Sequence, residues 1–150
     1  MVGANTVRID HPRLNVREPA DWQNQPLRIV VSNNMTNSEL DSFFPDGNAQ
    51  IVHLNNAADW NDLLERLGKQ NIMALLIEGG GELAASAIRA GVVDYVEFHI
   101  APRILGGSGS RTSVGGANPQ KMCEALDIEN AKVTMYGNDI SVSGYLKRSW

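Results

Sequence analysis

Three consecutive glycines follow an acidic residue in the most informative stretch of the sequence. Glu78 precedes the glycine run 79–81, and the apolar segment Met73–Ile77 comes just before it. Glycines between a strand and a helix let the backbone approach an anion, because unpaired N–H groups and the helix dipole favour negative charge there. The stretch therefore predicts a turn that holds a phosphate or a diphosphate. The alternative is a tight turn without a ligand.

Glu78 favours the ligand-binding interpretation. A carboxylate at the end of an apolar strand is costly to desolvate unless a donor binds it, and the hydroxyls of a ligand are suitable donors. The pattern is neither the dinucleotide fingerprint G-x-G-x-x-G nor the Gly-Lys-Ser/Thr loop of nucleotide triphosphatases. The sequence therefore disfavours an ordinary Rossmann domain and an NTPase.

A longer signature lies at residues 2–17, which read V-G-A-N-T-V-R-I-D-H-P-R-L-N-V-R. This run resembles the V-G-x-x-T-v-x-x-D-x-P-x-L-x-V-R signature of the riboflavin-biosynthesis reductases, the carboxyl-terminal half of bifunctional pyrimidine deaminase/reductases. Three further pieces match in the same order: Glu78 to Gly81 with the helix after it, Gly91 to Asp94 with 101–107, and Gly137 to Asp139. The resemblance covers nearly the whole chain.

The resemblance implies a fold and an activity. The fold is α/β and similar to dihydrofolate reductase, with three layers and a mixed sheet that is mostly parallel and ends in an antiparallel carboxyl-terminal hairpin. A single reductase-like domain is expected over residues 1–150. The implied activity is NADPH-dependent reduction of a 5-phosphoribosylamino-pyrimidine, in which the ring-opened ribose becomes a ribityl chain. The substrate is either the deaminated pyrimidine or its 2-amino form, and a homodimer is expected.

The resemblance also implies roles for individual residues. Three side chains are expected to contact the cofactor: Thr6, Asp10 and Ser32. The backbone amides expected to hold the cofactor phosphates are those of Gly80, Gly81, Glu82, Leu83 and Ala84. The substrate is expected to contact Leu14, Arg17 and Glu78. No residue is forced to be the proton donor, and a bound water and Glu78 are the alternatives.

The chain departs from this family at its start. Family members carry an additional strand and helix before the V-G-x-x-T segment, whereas Met1 lies directly before Val2. We therefore expect an incomplete amino terminus, an exposed sheet edge and a loss of part of the active site. A catalytically silent nucleotide-binding or assembly module is one alternative function, and a dihydrofolate-type pterin reductase is another.

The remaining strands and loops follow from local patterns. Strands are predicted at Leu27–Ser32, 50–54, 73–77 (covered on both faces) and 95–101, with a hairpin of 131–136 and 139–147. The first residues are predicted to form a short strand that runs into a loop, because Pro12 forbids a regular helix. Residues 33–48 are predicted to be mostly loop.

Two helices are predicted. Trp60, Leu63, Leu64 and Leu67 recur with helical spacing, and that helix is expected to start near Asn56 or Asp59 and to end at Gly68. The second helix is predicted from Glu82 to Ala90 and ends at Gly91.

Composition limits the class of protein. The 150 residues carry 13 Lys plus Arg against 17 Asp plus Glu and are 43% apolar, which indicates one ordinary globular domain. No basic run favours nucleic acid or an anionic membrane, and no apolar run approaches the ~20 residues of a membrane span. The lone Cys123 is expected to be a packed thiol in a reducing, cytoplasmic compartment. The three histidines lack metal-ligand spacing, so no metal site is expected.

Overall fold

The computed structural model describes residues 1–107 and 109–147. Strands and helices alternate as far as residue 69, a further helix then follows without an assigned strand at the predicted 73–77, and three antiparallel strands complete the described part of the chain. The elements are β1 (Val2–Gly3), α1 (Ala4–Asp10), β2 (Arg28–Val31), α2 (Asn37–Phe43), β3 (Ala49–Val52), α3 (Ala57–Lys69), α4 (Gly81–Arg89), β4 (Tyr95–Ile100), β5 (Ile128–Tyr136) and β6 (Asp139–Leu146).

A parallel sheet forms the first half of the fold. Its strand order is β1-β2-β3, and Val2 pairs with Val30 while Arg28 pairs with Ala49. The segment before the glycine run lies along the other side of β1. There the amino group of Met1 donates to Leu76 O at 2.7 Å, and Glu78 N donates to Met1 O at 2.8 Å. This arrangement brings the glycine run to the end of the sheet where β1 and β2 also end.

An antiparallel sheet with the order β4-β6-β5 forms the second half. The tight turn between β5 and β6 contains Gly137, whose φ of 62° is the left-handed conformation expected there. The predicted mixed α/β fold, with a parallel part and an antiparallel carboxyl-terminal hairpin, is confirmed. The two parts form separate three-stranded sheets rather than one hydrogen-bonded surface.

Two short helices replace predicted loops. The prediction for the first residues was wrong beyond β1, because α1 ends at Asp10 and His11 caps it in a left-handed conformation, so that Pro12 falls outside the helix. The prediction of loop for 33–48 was also wrong. Thr36 caps α2 by accepting a hydrogen bond from Glu39 N, and Leu40 is buried. Packing of an apolar face stabilises both helices despite their length.

Helices α3 and α4 lie where the sequence places them. Asn56 is the N-cap of α3 and forms a capping box with Asp59, as one of the two predicted starts requires. Helix α3 continues through Gly68 to Lys69, one residue beyond the predicted end. Gly91 follows α4 with a φ of 68°.

Two predictions of burial were wrong. The segment 73–77 is not covered on both faces, since Met73 is 95% exposed and Leu76 is 68% exposed. It runs beside Met1 at one edge of the parallel sheet, and Leu75 and Ile77 cover one side of it by packing against buried residues that include Trp60. Cys123 is exposed rather than packed, because it lies in a short 3-10 turn on the surface.

The core consists of two clusters on opposite sides of the parallel sheet's strands. The first contains Trp60, Leu63 and Leu67 of α3 with Leu83 and Ala87 of α4. The second joins α1 and α2 to the sheet through Val7, Val30, Leu40 and Phe44. No helix in the described residues is long and apolar enough to cross a membrane.

Candidate functional site

A cavity of about 770 Å³ opens where the carboxyl ends of β1 and β2 meet the amino end of α4. Ligands of open α/β sheets gather at this position, because the loops after the strands and the helix amino ends face the same side. Its walls are formed by Gly3 to Thr6, Arg8, Val31 to Asn34, Leu54, Gly80 to Leu83, Ser86 and residues of the segment 109–115. The volume is in the range of small-molecule and cofactor sites, roughly 300–1,000 Å³.

The amino end of α4 faces this cavity without a capping side chain. Gly79 and Gly80 have φ values of 68° and 83°, which a side chain would penalise, and the N-cap Gly80 makes no side-chain cap hydrogen bond. The amide of Ala84 donates to Gly80 O at 3.0 Å and is thus used within the helix. The amides of 81–83 belong to the first turn and lack intrahelical acceptors, which makes them available to an anion.

A loop of residues 109–116, here called the covering loop, is attached to the first turn of α4. Gly115 N donates to Gly81 O at 2.8 Å, and Gly116 N donates to the Glu82 carboxylate at 3.0 Å. A Cβ on Gly81 would lie 2.6 Å from Thr112 O, so glycine is required at this close approach. The covering loop therefore forms the outer wall of the cavity beside the free amides.

Ser32 and Thr6 form polar parts of the inner wall. The buried hydroxyl of Ser32 accepts hydrogen bonds from Asn34 N at 3.2 Å and Met35 N at 2.9 Å, which fixes the turn after β2. Thr6 projects from α1, and its Oγ1 lies 3.7 Å from the position a Cβ of Gly80 would take. The first turn of α1 thus lies directly against the glycine run.

Two arginines contribute positive charge to the cavity wall. Arg8 is held by Glu39, with Nε to Oε1 at 2.7 Å and Nη2 to Oε2 at 3.1 Å. This hydrogen bond from Arg8 lowers the pKa of the Glu39 carboxyl below its ordinary value. Arg111 lies on the covering loop and lines the same cavity.

The structure brings together most of the residues that the resemblance assigns to the cofactor. Those lining the cavity are Thr6, Ser32, Gly80, Gly81, Glu82 and Leu83. Asp10 lies at the exposed carboxyl end of α1, outside the cavity lining. Ala84 also lies outside the lining, since it belongs to the interior of α4.

The three residues assigned to the substrate do not line this cavity. Leu14 packs against the second core cluster with a φ of 49°, and Arg17 is exposed on the loop that follows. Glu78 is exposed immediately before the glycine run, and its amide pairs with Met1. Gln25 holds the backbone of this loop at Val16, by accepting from Val16 N at 2.9 Å and donating to Val16 O at 3.3 Å.

Sequence reasoning missed Arg8, Asn34 and Arg111. Arg8 reaches the cavity because residues 4–10 form a helix, which the sequence did not predict, and Arg111 reaches it because the covering loop folds back onto α4. The Thr36-x-x-Glu39 pattern before Leu40 was a usable signal for α2, and α2 places Glu39 against Arg8. Within the part of the chain described, no three His, Cys, Asp or Glu residues are grouped to hold a metal ion.

Comparison with known sequences gives a family match over almost the whole chain. The RibD C-terminal domain family matches residues 1–142. The chain is 34% identical to the 2,5-diamino-6-ribosylamino-4(3H)-pyrimidinone 5′-phosphate reductase of Methanothermobacter thermautotrophicus, over 98% of this chain and 79% of that protein. It is 31% identical to the riboflavin biosynthesis protein RibD of Actinobacillus pleuropneumoniae, over 93% of this chain but 44% of that protein. The chain thus spans less than half of the latter's length.

Solved structures show the same fold. The chain superimposes on Acinetobacter baumannii RibD with a TM-score of 0.78 and 22% identity, over 97% of this chain and 46% of that one. The riboflavin biosynthesis reductase Rib7 of Saccharomyces cerevisiae gives a TM-score of 0.68 and 19% identity, over 97% and 74% of the two chains.

Proposed function

Because the chain belongs to the RibD C-terminal domain family, we propose that it is a reductase of riboflavin biosynthesis. In this proposal it uses NADPH to reduce a 5-phosphoribosylamino-pyrimidine to the ribitylamino product. The Methanothermobacter relative is named as a reductase of a 2,5-diamino-6-ribosylamino-pyrimidinone 5′-phosphate. The substrate class proposed for this chain is that compound or its deaminated form.

One observation carries the proposal. A single cavity joins the free amides of 81–83 to the carboxyl end of β2, where Ser32 lies. A dinucleotide needs this combination, with its diphosphate on a helix amino end and its adenosine ribose beside the second strand. The covering loop approaches Gly81 so closely that a Cβ there would lie 2.6 Å from Thr112 O. This approach keeps the space beside the free amides narrow, as contact with phosphate oxygens requires.

The chain's own residues bind and orient in this mechanism. NADPH would supply the hydride, and the protein would hold the nicotinamide against C1′ of the ring-opened ribose and exclude water from the reaction. The covering loop is suited to limiting the access of water because it forms the outer wall of the cavity beside the free amides. Among the described lining residues Glu82 is the sole carboxylic acid, and its Oε1 accepts a hydrogen bond from Gly116 N. A bound water and Glu78, which lies just before the glycine run, are the two alternatives for the proton donor.

The substrate phosphate is assigned to Arg17, whose planar guanidinium binds two oxygens at once. Leu14 and Glu78 are assigned to the sugar portion. The glycine run connects the two assignments, because Glu78 lies immediately before it and the amides proposed to bind phosphate begin at its last glycine.

The chain is further proposed to act as a cytoplasmic homodimer. The register of the antiparallel sheet puts Phe98, Val142 and Val133 in one row, and Met135 lies on the same face. Val133 is 65% exposed and Met135 is 60% exposed. An exposed apolar face of this kind supports association. Light scattering is expected to give twice the chain mass, and a monomeric mass for the unmodified chain contradicts the dimer.

A catalytically silent nucleotide-binding module is the second candidate. It is favoured by the position of Leu14 and Arg17, which lie outside the cavity lining. This candidate predicts cofactor binding without turnover.

The test is a titration of the full chain with NADPH, followed by tryptophan fluorescence, and then addition of the pyrimidine ribotide with absorbance of NADPH as the readout. Binding and ribotide-dependent oxidation support the reductase. Binding without oxidation supports the silent module, and oxidation with dihydrofolate instead of the ribotide supports a pterin reductase. Absence of NADPH binding contradicts both reductases and leaves a silent assembly module as the remaining alternative.

A further inference from the structure

Arg8 presents part of its guanidinium to the cavity next to the residues that follow β2. Its Nη2 lies 3.4 Å from the side-chain oxygen of Asn34, and Asn34 lies 3.2 Å from the Ser32 hydroxyl. Glu39 binds the Nε and Nη2 side of the guanidinium. Within the described residues no acceptor pairs with Nη1, so both of its N–H groups are available to a ligand in the cavity.

The chemistry after β2 distinguishes the two nicotinamide dinucleotides. In nucleotide-binding α/β folds a carboxylate after the second strand accepts a hydrogen bond from the ribose 2′-hydroxyl of NAD, whereas an arginine accommodates the 2′-phosphate of NADP. The residues after β2 in this chain are Ser32, Asn33 and Asn34, none of which is acidic. Glu39 is the carboxylate nearby, and Arg8 occupies both of its oxygens.

We propose that Arg8 is the specificity-determining residue that binds the 2′-phosphate of the adenosine ribose, and that Glu39 is the positioning residue that holds its guanidinium. The inference rests on the proposed function, because it concerns the same cavity. Nη1 donates to the phosphate, and the amide nitrogen of Asn34, for which the described residues supply no hydrogen bond, adds a second donor. The Ser32 hydroxyl donates to Asn34 Oδ1 and so orients this side chain. The 2′-hydroxyl of NADH is neutral and cannot form the charge-assisted hydrogen bond that the phosphate forms with Arg8, so NADH binds more weakly.

Glu39 is itself fixed by the fold. It is the third residue of α2, and its amide donates to the Thr36 hydroxyl at 3.2 Å. This cap fixes the backbone at Glu39, and the Glu39 carboxylate limits the rotamers of Arg8 because it binds both Nε and Nη2. The arginine side chain thus loses its conformational entropy on folding rather than on nucleotide binding, which favours binding.

The experiment compares dissociation constants of the full chain for NADPH, NADH and the probe adenosine 2′,5′-bisphosphate, measured by calorimetry without substrate. Arg8→Gln is expected to weaken the binding of NADPH and of the bisphosphate by about 10-fold to 100-fold, because a charge-assisted hydrogen bond is lost. The dissociation constant for NADH is expected to stay within about twofold. Arg66→Gln on α3, outside the cavity lining, is the matched control and is expected to change none of the three.

Arg111→Gln provides the second comparison. Arg111 lies on the covering loop beside the proposed diphosphate position, so its loss is expected to weaken NADPH and NADH by the same factor. Arg8→Lys keeps the charge but not the planar donors, and is expected to restore part of the preference for NADPH.

Glu39 is tested by its effect on the same preference. Glu39→Ala is expected to reduce the ratio of NADPH to NADH affinity, and Glu39→Gln to restore part of it, because an amide oxygen still accepts from Arg8. A merely structural effect would change both affinities together.

The outcomes separate the two proposals. If the unmodified chain binds neither dinucleotide, the proposed function and this inference both fail. If the unmodified chain binds both dinucleotides, this inference alone is overturned by either of two results. One is that Arg8→Gln lowers the affinities for NADPH and NADH by the same factor, and the other is that it changes neither affinity. Circular dichroism of each variant verifies the fold. If Arg8→Gln is unfolded, Arg8→Lys is used as the test instead, and its ratio of NADPH to NADH affinity must be lower than that of the unmodified chain.

Discussion

The indole Nε1 of Trp60 donates a hydrogen bond of 3.0 Å to the hydroxyl of Ser86. Trp60 lies on α3 in the first core cluster and is 1% exposed, whereas Ser86 lies on α4 and lines the cavity. This bond connects the two helices between the core and the proposed nucleotide site. The position of α4, and with it the position of the free amides at its amino end, thus depends on packing around Trp60.

Trp60→Phe is expected to lower the free energy of unfolding by about 1–3 kcal/mol. The smaller ring leaves a void in the core, and the Ser86 hydroxyl loses its partner. Urea denaturation followed by circular dichroism measures the loss. The control is Trp22→Phe, because Trp22 is 48% exposed and its truncation is expected to change stability little. Equal losses in the two variants would contradict the role given to Trp60.

Gly81→Ala is expected to weaken NADPH binding at least tenfold, since its Cβ would meet Thr112 O at 2.6 Å and Gly115 N at 3.0 Å and so displace the covering loop. Calorimetric titration with NADPH measures the change. The matched control is Gly68→Ala inside α3, where nothing lies within 4 Å of the new Cβ. That control is expected to raise stability by about 0.5–1 kcal/mol and to leave binding unchanged. Unchanged affinity in Gly81→Ala would show that the covering loop does not shape the site.

Gln25→Ala is expected to raise the KM for the pyrimidine ribotide while the Kd for NADPH stays the same. Gln25 binds both the N–H and the C=O of Val16, between the proposed substrate residues Leu14 and Arg17. Loss of these bonds lets the loop move and misplaces the phosphate ligand. Gln23→Ala on the same loop is the control, since its exposed side chain donates to Asp21 O within the loop. A rise in both constants would assign Gln25 a general structural role instead.

Asp46→Asn is expected to lower the thermal midpoint near neutral pH and to remove part of its dependence on acid pH. The buried Arg28 guanidinium donates to both oxygens of Asp46, at 2.6 and 2.8 Å, and thereby holds the pKa of that carboxyl below its ordinary 3.8. A lowered folded-state pKa stabilises the fold above the ordinary value, and this stabilisation is lost as pH falls below 3.8 through the folded value. Unfolding midpoints from pH 7 to acid pH measure the effect.

The exposed Asp62→Asn variant serves as the control for Asp46. It is expected to retain the midpoint and the acid dependence of the unmodified chain. A midpoint for Asp46→Asn that follows Asp62→Asn at every pH would show that Arg28 does not depend on its carboxylate partner.

Long periodic elements and special backbone positions were predictable from the sequence. Helix α3 has a capping box at Asn56 and four apolar residues at helical spacing, and the turn at Gly137 needs a positive φ. Helices α1 and α2 have seven residues each, which is too short for a periodic pattern to stand out. Their stability comes from tertiary burial of Val7 and Leu40, which no local pattern contains.

The candidate site was predictable where one segment builds it and not where distant segments meet. The glycine run and Ser32 sit at element boundaries that the sequence marks. The contact of Arg8 with Glu39 joins residues that are 31 positions apart, and the attachment of Gly116 to Glu82 spans 34 positions. Such pairs depend on how the helices pack. The sequence therefore predicted the turn that is proposed to bind phosphate, but not the charged residues around it.

The antiparallel sheet contributes none of the residues that line the cavity in the described structure, since all of them precede Gly91 or lie in the covering loop. Strands β4, β5 and β6 are thus free to diverge without altering the proposed nucleotide site. Related chains can acquire different outer surfaces, solubility and assembly on this half while the cavity on the other half keeps its lining. Variation would accordingly accumulate unevenly along the chain.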